Sequence, residues 1–376
     1  MKVAVTTLAS TVAALLGLGL VMLYSSSMTR SGVHDLVMQI VWVGLGFGLC
    51  AAAASLDYHL LKRVHWWLYG LSVLVLGLVF VPHIGHASHG AHRWLAFKHF
   101  TLQPSEFAKP ALILVLAWYA DRHPRQMPTW WRGLGVPLLI IAPLLGLLFL
   151  EPDWGQTVLL ASVCGGLLLA AGVRKRCLFL TGLAGGAGFV YVILHDRMHH
   201  GRITAWMHPD AHANGAALQA QQAMYGLGAG GWTGLGLGNG LRKFGYLPEI
   251  HTDFIFANIG EELGLIATLL VVAGFVSIAL CGIYIALHAR EVFGRLLALG
   301  VTLMICLQAA INIGVVTSAL PNKGLPLPFI SYGGSNLLAM FLSLGLLFSV
   351  ARQAAPVVKT TPLPAADDNL FAAKTA

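Results

Sequence analysis

Five ionisable side chains crowd the stretch from Tyr246 to Gly264: Glu249, His251, Asp253, Glu261 and Glu262. The chain as a whole is 57% apolar and only 10% charged, so this concentration needs a reason. The stretch joins a long polar connection to an apolar run. A carboxylate beside a bilayer is costly unless it faces protein or a water-filled space, and such groups mark functional sites by default. The residue types leave two readings open. Asp253 is a functional carboxylate, or it caps a helix start while Glu261 and Glu262 wet the first turn.

Other residues with chemistry are spread along the chain. His83, His86, His89 and His92 recur every third residue. Such a tract could take zinc or respond to pH. Metal sites need defined geometry, however, and the interleaved Gly85, Ser88 and Gly90 favour solvated loop histidines. Glu106 and Lys109 follow Pro104 and Ser105, which can start a helix. Three apart, they share one helical face and can pair. The turn Glu151-Pro152-Asp153-Trp154 offers two carboxylates; they suit Mg2+, but a proline turn with Asp153 as a helix cap is favoured. Arg197, Arg202, Arg242 and Lys243 make the 195–259 connection basic, as an anionic ligand would require. Within it, residues 226–231 fit G-x-G-x-x-G. No strand precedes them and no βαβ unit surrounds them, so a dinucleotide site is rejected. The glycines to Gly240 instead let backbone approach backbone or a ligand closely.

These groups must be held by membrane helices. The mean hydropathy is +0.75. A crossing helix needs about 20 apolar residues, and ten candidate spans fit: 5–24, 37–54, 67–81, 107–120, 133–150, 155–172, 178–194, 263–287, 296–319 and 336–351. The net charge of +8 concentrates in alternate short connections: Lys62 and Arg63; Arg122, Arg125 and Arg132; Arg174, Lys175 and Arg176; Arg290 and Arg295. By the positive-inside rule these face the cytoplasm, as do both termini. The charge is therefore not read as nucleic-acid affinity. The first segment reads as a retained signal-anchor. None of the five cysteines falls in an outer connection, so no disulfide is expected. The 355–376 tail reads as a disordered cytoplasmic segment after a membrane domain over 1–354. Between the last two spans, Pro321, Pro326 and Pro328 forbid a continuous helix, yet the segment is apolar. Such backbone is tolerated only under protein or beside a cavity, so 321–335 is expected to re-enter the bundle with Lys323 aimed at an anion.

The run from His251 to Ala257 (HTDFIFA) resembles the most specific motif of the SEDS glycosyltransferases of bacterial cell-wall synthesis. Arg93-Trp94-Leu95, the QPSEFAK run from Gln103 to Lys109, the Glu151-Pro152-Asp153 turn, and the segment from Pro321 to Ser335 resemble further motifs of that family. So does Gln222 with the glycines that follow, although Ala223 and Ala229 replace usual serines. The lysine before Gly324 favours the division branch over the elongation branch, while Asn322 replaces a usual Thr. The resemblance spans all ten expected helices. It implies an enzyme that polymerises lipid II during septal wall synthesis, transferring a glycan from undecaprenyl pyrophosphate to the GlcNAc 4-hydroxyl of a second lipid II with inversion. It implies Asp253 as catalytic carboxylate, Arg93, Lys109 and Lys323 toward the pyrophosphate, and contacts from Gln222, His251 and Ser331. Arg202 joins them on position alone. It also implies a divalent cation, Mg2+ or Mn2+, whose ligands stay open, and no nucleotide. The expected partners are a class B penicillin-binding transpeptidase and other division membrane proteins. Two rival functions remain, a flippase for the same lipid and a scaffold without chemistry. A flipping path would need polar groups across the bilayer, and the eighth and ninth spans offer only Gln308, Asn312 and small hydroxyls.

Overall fold

The computed structural model describes residues 1–27, 32–81, 85–88, 91–96, 101–195, 201, 204, 206–207, 216–247 and 249–354. His83, His89, Arg197, Arg202 and the 355–376 tail lie outside the described residues, as do the side chains of His86 and His92. Eleven helices carry the described chain: α1 (Lys2–Ser27), α2 (His34–Ser55), α3 (Tyr58–Leu78), α4 (Pro104–Arg122), α5 (Val136–Leu150), α6 (Trp154–Ala170), α7 (Lys175–His195), α8 (Ala216–Gly230), α9 (Ile255–Leu287), α10 (Val292–Val316) and α11 (Gly334–Gln353).

Seven of the described helical stretches are long and apolar enough to cross a membrane: α1, α2, the Trp131–Leu150 stretch holding α5, α7, α9, α10 and α11. α6 is apolar but shorter. α3 and α4 complete the set of helices over the ten expected spans. α4 is less apolar because it carries Glu106, Lys109, Asp121 and Arg122.

Local chemistry explains several boundaries. Asp57 starts α3 by accepting the His59 amide at 2.8 Å. Pro104 opens α4, where its missing N–H would have had no helical partner anyway. α10 is the hub, packing against α4, α6, α9 and α11. α7 stands at the rim against α6 and buries almost nothing but Ile193.

Two features depart from the sequence reading. The first is a small antiparallel sheet in the helical fold. β1 (Gly85–Ser88), β2 (Ala91–Ala96) and β3 (Thr101–Leu102) lie in the order β1-β2-β3 with an irregularity between His86 and Ala87. Its strands are rich in His, Gly and Ala, and lack the alternating apolar pattern that announces a strand. The second is α9, which begins at Ile255 rather than 263 and breaks at Gly264, where φ is 78°. Residues 265–287 alone rise about 34 Å at ~1.5 Å per residue, enough for a hydrocarbon core of ~30 Å. Residues 255–263 therefore form a separate half-helix at one end of the bundle.

The break is stitched by the glycine-rich segment. Leu265 and Ile266 donate their amides to the carbonyls of Gly231 (2.9 Å) and Trp232 (3.3 Å). Leu235 and Gly236 donate theirs to Glu261 and Glu262, both at 3.0 Å. A Cβ at Gly230 or Gly234 would run into the backbone of Gly260 or Glu262, so this close approach requires glycine.

Candidate active site

Asp253 sits in the turn before the half-helix. It is not the cap: Phe254 occupies that position and no side chain caps there. Its carboxylate lies against Gly324, where any Cβ would collide with Oδ2. Its backbone is fixed from α10, since Asn312 Nδ2 donates to Asp253 O at 2.8 Å. Desolvation by the surrounding protein pushes the Asp253 carboxyl up to about 7; Glu249 and Asp153 add to the rise and Arg93 opposes it. A carboxylate so poised changes protonation near neutral pH, which is what a general base needs.

Two cations converge beside it, on the turn between α5 and α6. Arg93, carried by β2, donates to Pro152 O at 2.8 Å and Glu151 O at 3.4 Å, and its Nε lies 3.9 Å from Asp153 Oδ2. Lys323 reaches Pro152 O at 3.4 Å and lies 5.7 Å from the centroid of the Trp154 ring. Gly155 leaves room for the Lys323 stem. Asp153 caps α6 by accepting the Gln156 amide at 3.4 Å. Glu151 is buried, with no hydrogen-bond partner for either carboxyl oxygen among the described residues. Burial pushes it up to about 8, with Asp153 adding and Arg93 opposing.

Below this lies a closed network. Lys109 pairs with Glu106 at 2.8 Å and donates to Gln308 Oε1 at 3.0 Å. Glu106 also accepts from Gln156 at 2.6 Å and Asn336 at 2.7 Å. Both charges are fully buried, so the Lys109 ammonium is spent on α4 and α10 rather than turned to an exterior ligand. A second buried pair joins Lys243 to Glu262 at 3.0 Å. Glu262 also accepts from Ser25 at the end of α1 and from the Gly238 amide, and Glu261 takes the Leu241 and Arg242 amides. Far from wetting a first turn, both glutamates are sealed inside and hold the glycine-rich segment.

The Pro-rich segment is non-helical; Leu325 and residues 327–331 are buried, while Pro321, Asn322 and Lys323 are half-buried and Gly324 is exposed. α1 crosses it so closely that a Cβ at Gly19 would strike the Ile330 backbone. Ser331 is committed internally: its hydroxyl donates to Thr252 O at 2.5 Å and accepts the Leu327 amide at 2.8 Å. His251 accepts the Tyr332 amide at 3.0 Å through its carbonyl, with the rings 6.1 Å apart. Gln222 lies on α8 with its side-chain oxygen buried and without a hydrogen-bond partner among the described residues. One turn earlier, Gln219 accepts from Asn322 at 3.0 Å and brings α8 to the lysine loop. Thus Arg93, Lys323, Asp253, Glu151 and Asp153 come together, while Lys109 and Ser331 stand in the supporting structure.

Sequence reasoning missed Gln219, Gln39 and the tasks of Gln308 and Asn312. Gln39 donates to Ser331 O at 3.2 Å. The available signal was a buried amide inside an apolar helix, which must find a partner.

The arrangement defines a multi-pass membrane protein with a carboxylate and two cations gathered at one end of its helical bundle. The chain belongs to the FtsW/RodA/SpoVE family, described as cell cycle protein, whose model matches residues 6–355. It is 38% identical over 346 residues to the probable peptidoglycan glycosyltransferase FtsW of Trichlorobacter lovleyi, covering 90% of this chain and 91% of that protein. It is also 38% identical over 348 residues to the Coxiella burnetii protein of the same name, covering 90% and 93%. Among solved structures it resembles a chain reported under "Structural coordination of polymerization and crosslinking by a peptidoglycan synthase complex", with a TM-score of 0.78, 29% identity, and 92% and 96% of the two chains covered. The rod shape determining protein RodA of Thermus thermophilus superposes with a TM-score of 0.70 at 27% identity, covering 93% and 97%.

Proposed function

We propose that this chain polymerises lipid II into glycan strands for septal wall synthesis, with Asp253 as the base. The observation that carries the reading is the pairing of a carboxyl held near 7 with two cations, Arg93 and Lys323, on one turn. Asp253 takes the proton of the acceptor GlcNAc 4-hydroxyl. The freed oxygen bonds to the donor's anomeric carbon from the face opposite the leaving group. The bond from that carbon to the diphosphate breaks, and its electron pair departs with the diphosphate, whose charge Arg93 and Lys323 meet. One displacement inverts the anomeric centre. Lys109 supports the site from below.

The basic short connections support placing both termini in the cytoplasm and Asp253 on the outer side. A transpeptidase that crosslinks the product is the proposed partner, supported by the likeness to a chain of a complex that couples polymerisation with crosslinking. The expected Mg2+ or Mn2+ does not fit a preformed site. Among the described residues no three His, Cys, Asp or Glu side chains are grouped to hold a metal, and the Glu151 oxygens are sealed. The flippase reading is weakened because Gln308 and Asn312, the amides a polar path would use, both bind fixed backbone.

The test is polymer formation from lipid II by the purified chain and by Asp253→Asn. Polymer from the first and none from the second is expected. Equal polymer from both, or lipid transfer across vesicles without polymer, would defeat the reading.

A further inference from the structure

The two amides of α10 have more in common than their spacing. Gln308 and Asn312 are one turn apart on one face of the hub helix, both almost completely buried. Gln308 receives the Lys109 ammonium on its oxygen and gives its Nδ-equivalent, Nε2, to Pro326 O at 2.9 Å. Asn312 Nδ2 is divided between two carbonyls from distant parts of the chain: Asp253 O at 2.8 Å and Leu325 O at 2.6 Å. One amide group therefore ties the turn bearing Asp253 to the segment bearing Lys323 and Gly324.

We propose that Asn312 is a positioning residue, a strap that sets where the Asp253 carboxylate stands relative to the Lys323 segment. The proposal rests on the polymerase reading for its catalytic consequence and on geometry alone for the strap. Two arguments single out Asn312. First, among the described residues neither carbonyl has another side-chain donor, so removing the amide leaves one buried and one part-buried acceptor unmet. Second, Gly324 gives Asp253 Oδ2 no spare space, so a shift of either segment changes that approach directly. Gln308 ties only the next residue, Pro326, to the Lys109 network, so loss of the Asn312 amide loosens both the Leu325 side and the Asp253 side of the strap.

The test compares wild type with Asn312→Leu, which keeps the volume and removes both donors. Purified protein is assayed for lipid II polymerisation across pH, for lipid II binding, and for amide hydrogen exchange. The strap predicts a kcat lower by about 10–100-fold, the scale of an ångström-sized misplacement, with lipid II binding within about two-fold. It predicts faster exchange in 249–256 and 322–330 together. It also predicts that the acid limb of the rate profile moves to lower pH, because a slack Asp253 reaches water; Glu249, Glu151, Asp153, Arg93, Lys323 and His251 are the charged or titratable groups around it and stay unchanged. If Asn312→Leu does not assemble, Asn312→Ser keeps one hydroxyl donor and should show the same shifts, reduced. Unchanged kcat, binding lost in step with rate, or exchange that rises in one segment only would each overturn the strap. If the wild type makes no polymer, the polymerase reading falls, while joint exchange in the two segments would still support the strap and its absence would still overturn it.

Discussion

The two ends of the bundle handle charge in opposite ways. At the Asp253 end, Glu106–Lys109 and Glu262–Lys243 are sealed, each charge meeting several fixed partners. At the other end, Lys62 bridges Asp121 at 3.0 Å and Glu291 at 2.5 Å, and His59 joins Asp57 and Glu291, all on side chains between about a quarter and three-fifths exposed. The open cluster joins the start of α3, the end of α4 and the α9–α10 turn, but water can replace any member. The sealed pairs have no such substitute. Breaking one leaves a bare charge under protein, whereas breaking an exposed pair leaves a solvated one. The end that carries the proposed chemistry is thus the end built to be intolerant.

The largest expected effect is on the sealed pair. Lys109→Met should lower stability in detergent by about 3–5 kcal/mol by stranding Glu106, read as a fall in Tm. Adding Glu106→Gln should return much of it, since the double variant buries no net charge. If Lys109→Met costs no more than Lys62→Met, the contrast between the two ends collapses.

Next comes Gly324→Ala, whose methyl must displace the Asp253 carboxylate. Polymerisation should fall about 100-fold, as ångström misplacements do, with Tm close to wild type. A lost Tm with intact rate would mean the glycine serves packing instead.

The pH profile gives a smaller and signed effect. A base held at about 7 makes the rate rise as pH passes that value. Glu249→Gln removes a negative neighbour and should move the limb down; Arg93→Gln removes a positive one and should move it up, besides weakening the diphosphate contact. Limbs moving the other way would show that the titrating group is not Asp253.

The smallest effect belongs to the open cluster. Lys62→Met should cost only ~0.2–1 kcal/mol, shrinking as salt rises. Glu291 is held below its usual range, chiefly by the Lys62 hydrogen bond. Its contribution is therefore present above the ordinary carboxylate value and fades as pH falls through its lowered one. Acid titration of Tm in wild type and Lys62→Met should converge at low pH.

Much of this layout was legible because it is local. Apolar runs marked the helices, Pro104 marked the start of α4, and the spacing of Glu106 and Lys109 allowed their pair. The rest depends on distant parts of the chain. Nothing in Lys243 points to Glu262, or in Ser25 to either, until the glycine-rich segment folds back across the half-helix. The break at Gly264 falls just after Glu261 and Glu262, where the apolar run begins, and a glycine there reads equally well as a close-packing position. Gln308 and Asn312 read as stray polarity in a span because their partners are carbonyls, which no side-chain pattern encodes. Gly155 read as the start of a span and Gly324 as loop composition, although each clears space for side chains from elsewhere in the chain.

The interruption at Gly264 also has a mechanical meaning. The piece that ends in Asp253 is a short lever, about 13 Å long at ~1.5 Å per residue, with its pivot at a single glycine. Leu235 and Gly236 grip the lever at Glu261 and Glu262, while Gly231 and Trp232 hold the long arm at Leu265 and Ile266. Any force that drags Leu235 and Gly236 sideways would swing the carboxylate, while the long arm of α9 stayed upright among its neighbours.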